Sequence, residues 1–162
     1  MKDSTIAYYE AGHAVAAFWL HRPIHKVTIM GDENSSGKVV RKRRPNTINP
    51  RKWFNETGYR IQADIIILYA GQLAQERFAP RSLRPGDMSW QGRGDDDQMV
   101  DLALAITDSD GVTLLLQYLK HEAELLINHF WDDIVTVAKA LLKQKTFTGD
   151  QLRDVIHQHM TV

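Results

Sequence analysis

The chain has 162 residues, the size of one ordinary domain, and its 43% apolar and 25% charged residues exclude an intrinsically disordered polypeptide. Lys+Arg and Asp+Glu both number 20, so the formal net charge is zero and no global attraction to nucleic acid or anionic membrane follows. Cysteine is absent, which excludes disulfides and thiolate metal sites and fits a reducing, cytoplasmic setting.

The first elements are predicted to be a helix and a β-hairpin. Apolar residues recur at helical spacing over Ser4–Leu20, and Pro23 ends that helix. The segment Ile24–Met30 alternates and is rich in β-branched residues, which predicts a strand. Turn-forming residues at 31–37 then favour a return strand at Lys38–Val40.

The middle of the chain alternates between polar connections and helices. The segment Arg41–Lys52 holds six cationic residues and two prolines, which predicts an exposed loop. A long helix is predicted over Trp53–Phe78, and an irregular connection over Ala79–Gly94. A further helix is predicted from Asp95 to Thr107, with three aspartates at its positive N-terminal end.

The C-terminal part is predicted to be helical throughout. Helices are predicted over Val112–His129 and Ile134–Lys143, and Thr148–Gln151 is a capping box that begins a last helix. The whole pattern predicts one domain over residues 1–162, mainly α (α+β), with a small antiparallel β-hairpin or sheet. No apolar stretch approaches the ~20 residues that a membrane-spanning helix needs.

One helical segment carries possible chemistry, the five residues Tyr9–His13. Zinc peptidases use H-E-x-x-H, because residues four apart share one helix face and the glutamate between them can act as a general base on metal-bound water. Here the pattern is Y-E-A-G-H. Alone it is weak evidence, since many helices carry a surface glutamate and a buried histidine.

The neighbouring segments strengthen this pattern. Ala7–Val15 resembles the peptidase helix of the FtsH-type ATP-dependent zinc metalloproteases, whose motif is H-E-A-G-H. Pro23–Ile29 is similar to the family's next strand, Tyr69–Glu76 to its G-R-x-A-E-E helix, and Gly92–Val100 to the segment that carries its aspartate ligand. Residues 138–149 resemble the closing helices. The similarity keeps the family's order over nearly the whole chain and implies a helical, zincin-like peptidase domain.

The resemblance assigns roles to individual residues. It makes His13 the second zinc histidine and Glu10 the catalytic base. The aspartate ligand falls within residues 95–97, and Asp96 is favoured because it follows a glycine and precedes an apolar residue by four positions each, with Asp97 next. The alternative is that these aspartates are only helix charges.

The sequence departs from the family near this metal site. Tyr9 stands where the first zinc histidine belongs, and a phenol oxygen lies farther from the backbone than an imidazole nitrogen and ionises only near pH 10. Gln75 replaces the first glutamate of A-E-E, beside Glu76, in positions expected to support the ligands; Gln72 replaces the arginine. These changes imply a degenerate zinc site with impaired or lost hydrolysis.

The resemblance also implies a substrate and partners. A peptide or unfolded protein is expected to pair with the strand after the first helix, at Lys26, Val27, Thr28 and Ile29. The chain lacks G-x-x-x-x-G-K-[ST], so it offers no ATP site and any ATPase is expected in trans. Family members form rings, which leaves homo-oligomers open.

Three functions remain as hypotheses. The first is a zinc metalloendopeptidase with a degenerate site, and the second is an inactive pseudopeptidase that binds peptides or partner proteins. The third is nucleic-acid contact through the basic segment 41–52, which the zero net charge argues against.

Overall fold

The structure, a computed structural model, describes residues 3–31, 37–41, 56–82 and 90–160. Within these ranges the chain is mainly helical with one small antiparallel sheet, as predicted. The helices are α1 (Asp3–Trp19), α2 (Glu56–Phe78), α3 (Trp90–Leu104), α4 (Ser109–His129), α5 (Trp131–Gln144) and α6 (Gly149–Met160). The strands are β1 (Ile24–Thr28), β2 (Lys38–Arg41) and β3 (Thr146–Thr148).

The sheet has the order β2-β1-β3, with both pairs antiparallel. Val27 of β1 lies opposite Val39 on one side and Phe147 on the other. The hairpin of β1 and β2 agrees with the sequence pattern. The third strand was not predicted, because three residues are too few to show an alternation, and only the packing of α5 and α6 brings β3 beside β1.

Helix α3 begins at Trp90, five residues before its predicted start. The prediction that residues 90–94 are irregular is therefore wrong. It gave too much weight to two glycines, each of which costs a helix only about 1 kcal/mol, whereas Met99 and Ala103 bury α3 against its neighbours. The three aspartates consequently lie in the second turn of α3 and not at its N-terminal end.

Two apolar clusters share α2. The larger one joins α1, α5, α6 and the sheet to the later half of α2, around Ala14, Val27 and Ile134. The smaller one packs the earlier half of α2, around Ile65, against α3 and α4. Helix α2 therefore holds the aspartate-bearing helix α3 in a fixed position beside α1.

Helices α1 and α2 approach each other closely at glycine. A Cβ atom on Gly12 would lie 2.4 Å from the carbonyl oxygen of Ala70 and 2.7 Å from the Cβ of Ala74. Any larger side chain at position 12 would separate the two helices. This contact sets the distance at which side chains of α1 meet those of α2.

The capping box at the start of α6 is confirmed in both halves. The Thr148 amide donates to Gln151 Oε1 (2.9 Å), and the Gln151 amide donates to Thr148 Oγ1 (3.3 Å). The basic segment 41–52 lies outside the described residues apart from its first residue. Among the described helices, none is both long and apolar enough to cross a membrane.

Candidate functional site

Three polar residues of α1 are buried on the side that meets α2 and α3. Tyr9, Glu10 and His13 are 6%, 2% and 6% exposed, in a helix whose other buried residues are almost all apolar. Burial of polar groups is costly unless they are hydrogen-bonded. Their partners therefore define what this cluster can do.

His13 is fixed by the backbone of α2. Its Nδ1 lies 2.7 Å from the carbonyl oxygen of Ile67, and because a carbonyl only accepts, Nδ1 carries the proton. The ring lies directly over Gly71, where a Cβ would come within 2.4 Å of Nε2. Nε2 is thereby turned towards α3, 3.6 Å from Oδ2 of Asp95. This tautomer is the one that a metal-binding or proton-accepting Nε2 requires.

Tyr9 reaches past His13 to the same aspartate. Its hydroxyl donates a short hydrogen bond to Oδ2 of Asp95, and its ring meets the His13 ring edge-on at 4.5 Å. Burial, and next the Asp95 carboxylate, raise the pKa of the Tyr9 phenol far above its usual value. The phenol is thus a proton donor to Asp95 and not an anionic ligand.

Glu10 lies in the deepest position of the cluster. Burial, and then the negative charge of Asp95, raise the pKa of its carboxyl to about 8. The backbone at Gly37, just before β2, approaches so closely that a Cβ there would lie 2.7 Å from Glu10 Oε1. These surroundings favour the protonated, neutral form of the Glu10 carboxyl.

The three aspartates of α3 point in different directions. Asp95 meets Tyr9 and His13, whereas Oδ1 of Asp96 accepts a hydrogen bond of 2.9 Å from Gln72. Asp97 is exposed. The residue that the structure brings to the histidine is therefore Asp95, while Asp96, favoured from the sequence, is held by the glutamine at the family's arginine position.

The two residues expected to support the ligands lie elsewhere. Gln75 is only 1% exposed, and its Nε2 donates to Oγ of Ser82 at 3.1 Å, across the C-terminal turn of α2. Glu76 is exposed to solvent. The hydrogen bond of Gln75 therefore stabilises the end of α2 rather than the imidazole of His13.

The strand expected to receive substrate is the central strand of the sheet. Lys26, Val27 and Thr28 each have a partner on β2 and another on β3, and the Ile29 amide donates to the carbonyl of Lys145. An added strand needs an unpaired edge. Lys26, Val27 and Thr28 therefore present no free edge, and within the described residues β2 and β3 form the edges of the sheet.

The cluster does not supply a three-ligand zinc site. Two ligands of a tetrahedral zinc at about 2.0–2.1 Å lie about 3.3 Å apart, so the 3.6 Å between His13 Nε2 and Asp95 Oδ2 suits a shared cation. The place of a third zinc ligand is occupied by the protonated phenol of Tyr9. Across residues 3–31, 37–41, 56–82 and 90–160, no group of three His, Cys, Asp or Glu residues is arranged to hold a metal ion.

Several known proteins are similar to this chain in amino-acid sequence. Over 93% of its length the chain is 26% identical to the ATP-dependent zinc metalloprotease FtsH of Neorickettsia risticii, and over 94% it is 27% identical to FtsH 2 of Methylacidiphilum infernorum. The chain is thus weakly similar to FtsH zinc metalloproteases over most of its length. It spans 27% and 28% of the length of those two proteins, and the FtsH of Rickettsia typhi is 22% identical over 93% of the chain. No family model matches the chain.

Sequence reasoning missed the residues that position the cluster. The Ile67 carbonyl has no sequence signature, because every residue carries one. The role of Gly71 does have a sequence signature. Gly12 on α1 and the small residues Ala70, Gly71 and Ala74 on α2 indicate that these two helices pack closely. Asp95 could be separated from its two neighbours only once the start and rotation of α3 were known.

Proposed function

We propose that this chain is an FtsH-like peptidase domain in which a tyrosine has replaced a zinc ligand, and that it binds extended peptide without hydrolysing it. Any ATP-driven unfolding of that peptide is supplied by an ATPase module outside these 162 residues. The observation that carries the proposal is the hydrogen bond from the Tyr9 hydroxyl to Asp95, beside His13.

The hydrogen bond supports loss of hydrolysis for two reasons. It uses a lone pair of the carboxylate that would otherwise face a cation, and it leaves a neutral phenol where the relatives' motif has an imidazole.

The sheet supports retained peptide binding. Strand β2 pairs with β1 on one side, and within the described residues its other edge is unpaired. It begins beside Glu10, since Gly37 packs on that side chain. A peptide that adds to the edge of β2 would therefore pass close to the Tyr9–Asp95–His13 cluster.

Metal content and turnover test the loss of hydrolysis. Protein purified without chelator is analysed for zinc, and its cleavage of casein is followed with and without added zinc. We expect sub-stoichiometric zinc and no cleavage above background. The matched control is Glu10→Gln: cleavage that this change leaves intact comes from a contaminating protease, whereas stoichiometric zinc with cleavage that Glu10→Gln abolishes refutes the proposal.

Peptide binding is tested separately. A fluorescein-labelled extended peptide rich in Val and Thr is titrated with the protein by fluorescence anisotropy, next to the same peptide N-methylated at alternate residues. Methylation removes the backbone donors that strand addition needs, so we expect the methylated peptide to bind at least about tenfold more weakly. Equal affinities, or no binding of either peptide, contradict the peptide-binding half of the proposal.

A further inference from the structure

Helix α4 carries a stripe of large apolar side chains that faces solvent. Leu114, Tyr118 and Leu125 are 72%, 55% and 52% exposed, and His121, also exposed, lies between the last two. The four positions are separated by four, three and four residues, which is the spacing of the a and d positions of a heptad repeat. We call these four residues the α4 stripe.

The stripe is not the edge of the core. The buried residues of α4 are Leu119, Ala123 and Ile127, and the helical rotation of 100° per residue places them on the opposite side of the helix from the stripe. The core therefore accounts for one apolar face of α4, while the opposite face is exposed within the described residues. Aligned large apolar residues in water indicate a surface that binds a partner.

The charges beside the stripe restrict that partner. In this heptad register Leu114 and His121 occupy d positions, and Tyr118 and Leu125 occupy a positions. The ionised residues at the flanking e and g positions are all acidic: Asp110, Glu122 and Glu124. Lys120, the only Lys or Arg in α4, falls at a c position. Two copies paired through this stripe would set acidic residues against acidic residues, so a second copy is disfavoured.

We propose that the α4 stripe is a docking site for an amphipathic helix with Lys or Arg beside its apolar seam. Leucine and tyrosine would bury the seam of the incoming helix, and the three carboxylates would pair with its flanking cations. The stripe shares no residue with the Tyr9–Asp95–His13 cluster. The docking proposal therefore does not depend on the proposed peptide binding.

A defined probe tests the site. A labelled synthetic helix of three heptads, with Leu at a and d and Lys at e and g, is titrated with the full chain by fluorescence anisotropy at about 0.15 M salt. Its counterpart carries Glu in place of Lys. The protein variants are Leu114→Ser with Leu125→Ser, and separately Glu122→Lys with Glu124→Lys. Tyr59→Ser is the matched control, because Tyr59 is 71% exposed on a different helix.

We expect each double variant to bind the Lys probe at least about tenfold more weakly. A few central contacts contribute most of the binding free energy of a small interface. The Tyr59→Ser protein should bind like the parent, and the Glu probe should bind no variant that retains Glu122 and Glu124. Unchanged melting temperatures would show that each variant is folded, as expected for exposed positions.

Three results overturn the docking proposal. The first is equal binding of the Lys probe by the parent and by the Leu114→Ser/Leu125→Ser protein, which would indicate charge attraction alone. The second is equal binding of the Lys and Glu probes. The third is a dimer of the parent in sedimentation that this double variant dissociates, which would make a second copy the occupant.

Discussion

Replacing Tyr9 with histidine should convert the cluster into a zinc site. The change removes the phenol that donates to Asp95 and places a second imidazole four residues before His13, on the same face of α1. The new imidazole, His13 Nε2 and the Asp95 carboxylate would then form three protein ligands. The close contact between α1 and α2 at Gly12 should hold this geometry without rearrangement of the helices.

The expected gain in zinc affinity follows from the number of protein ligands. His13 Nε2 and Asp95 Oδ2 already lie 3.6 Å apart, close to the separation of about 3.3 Å expected on one tetrahedral zinc. Structural zinc sites with four ligands contribute about 10–16 kcal/mol, or roughly 3 kcal/mol for each ligand. One added imidazole should therefore strengthen zinc binding by roughly 100-fold.

The assay is a competition titration with a zinc-chelating dye, on protein first stripped of metal. Tyr9→Phe is the matched control, because it also frees the Asp95 carboxylate but adds no donor. Gln75→Glu should add little to Tyr9→His, since Gln75 bonds to Ser82 across the end of α2. If Tyr9→His binds zinc no more tightly than Tyr9→Phe, the identification of this cluster as the relatives' metal site is wrong.

Three further predictions concern stability. Tyr9→Phe leaves a half-buried Asp95 carboxylate without its donor and should lower the free energy of unfolding by about 1–3 kcal/mol in urea denaturation. Glu10→Gln should remove a pH dependence from the stability of chelator-treated protein. The Glu10 pKa is about 8 in the folded state and 4.5 ordinarily, so the stabilisation by this group is complete below pH 4.5 and is lost as the pH rises through 8, on the order of 5 kcal/mol at most. Gly71→Ala should cost about 1–3 kcal/mol, because its Cβ would lie 2.3 Å from the histidine ring, whereas Gly94→Ala, with nothing within 4 Å, should be neutral or stabilising.

Each of these predictions has an outcome that contradicts it. A Tyr9→Phe protein as stable as the parent would mean that the phenol does not hold Asp95 in solution. A stability difference between Glu10→Gln and the parent that is the same at pH 5 and pH 8.5 would mean that Glu10 titrates normally. Equal melting temperatures for Gly71→Ala and Gly94→Ala would place the histidine ring away from α2.

The sequence alone indicated the main helices, the hairpin of β1 and β2, and the unusual segment Tyr9–His13. The helical spacing of α1 and the capping box at Thr148 are local patterns, and local patterns can be read from a single chain. The same is true of the departure at Tyr9, which needed only the order of the matching segments. The helical fold class and the relation to the zinc peptidases therefore follow from the order of residues along the chain.

Only the tertiary structure decided how these residues meet. The rotation of α3 brings Asp95, and not Asp96, to His13, and the pairing of β3 with β1 removes the edge that the sequence suggested for substrate. Both depend on contacts between segments far apart in the chain, which side-chain spacing within one segment does not encode. Tyr9 shows the division most clearly: its identity is visible in the sequence, but its partner is set by how α1 and α3 pack on α2.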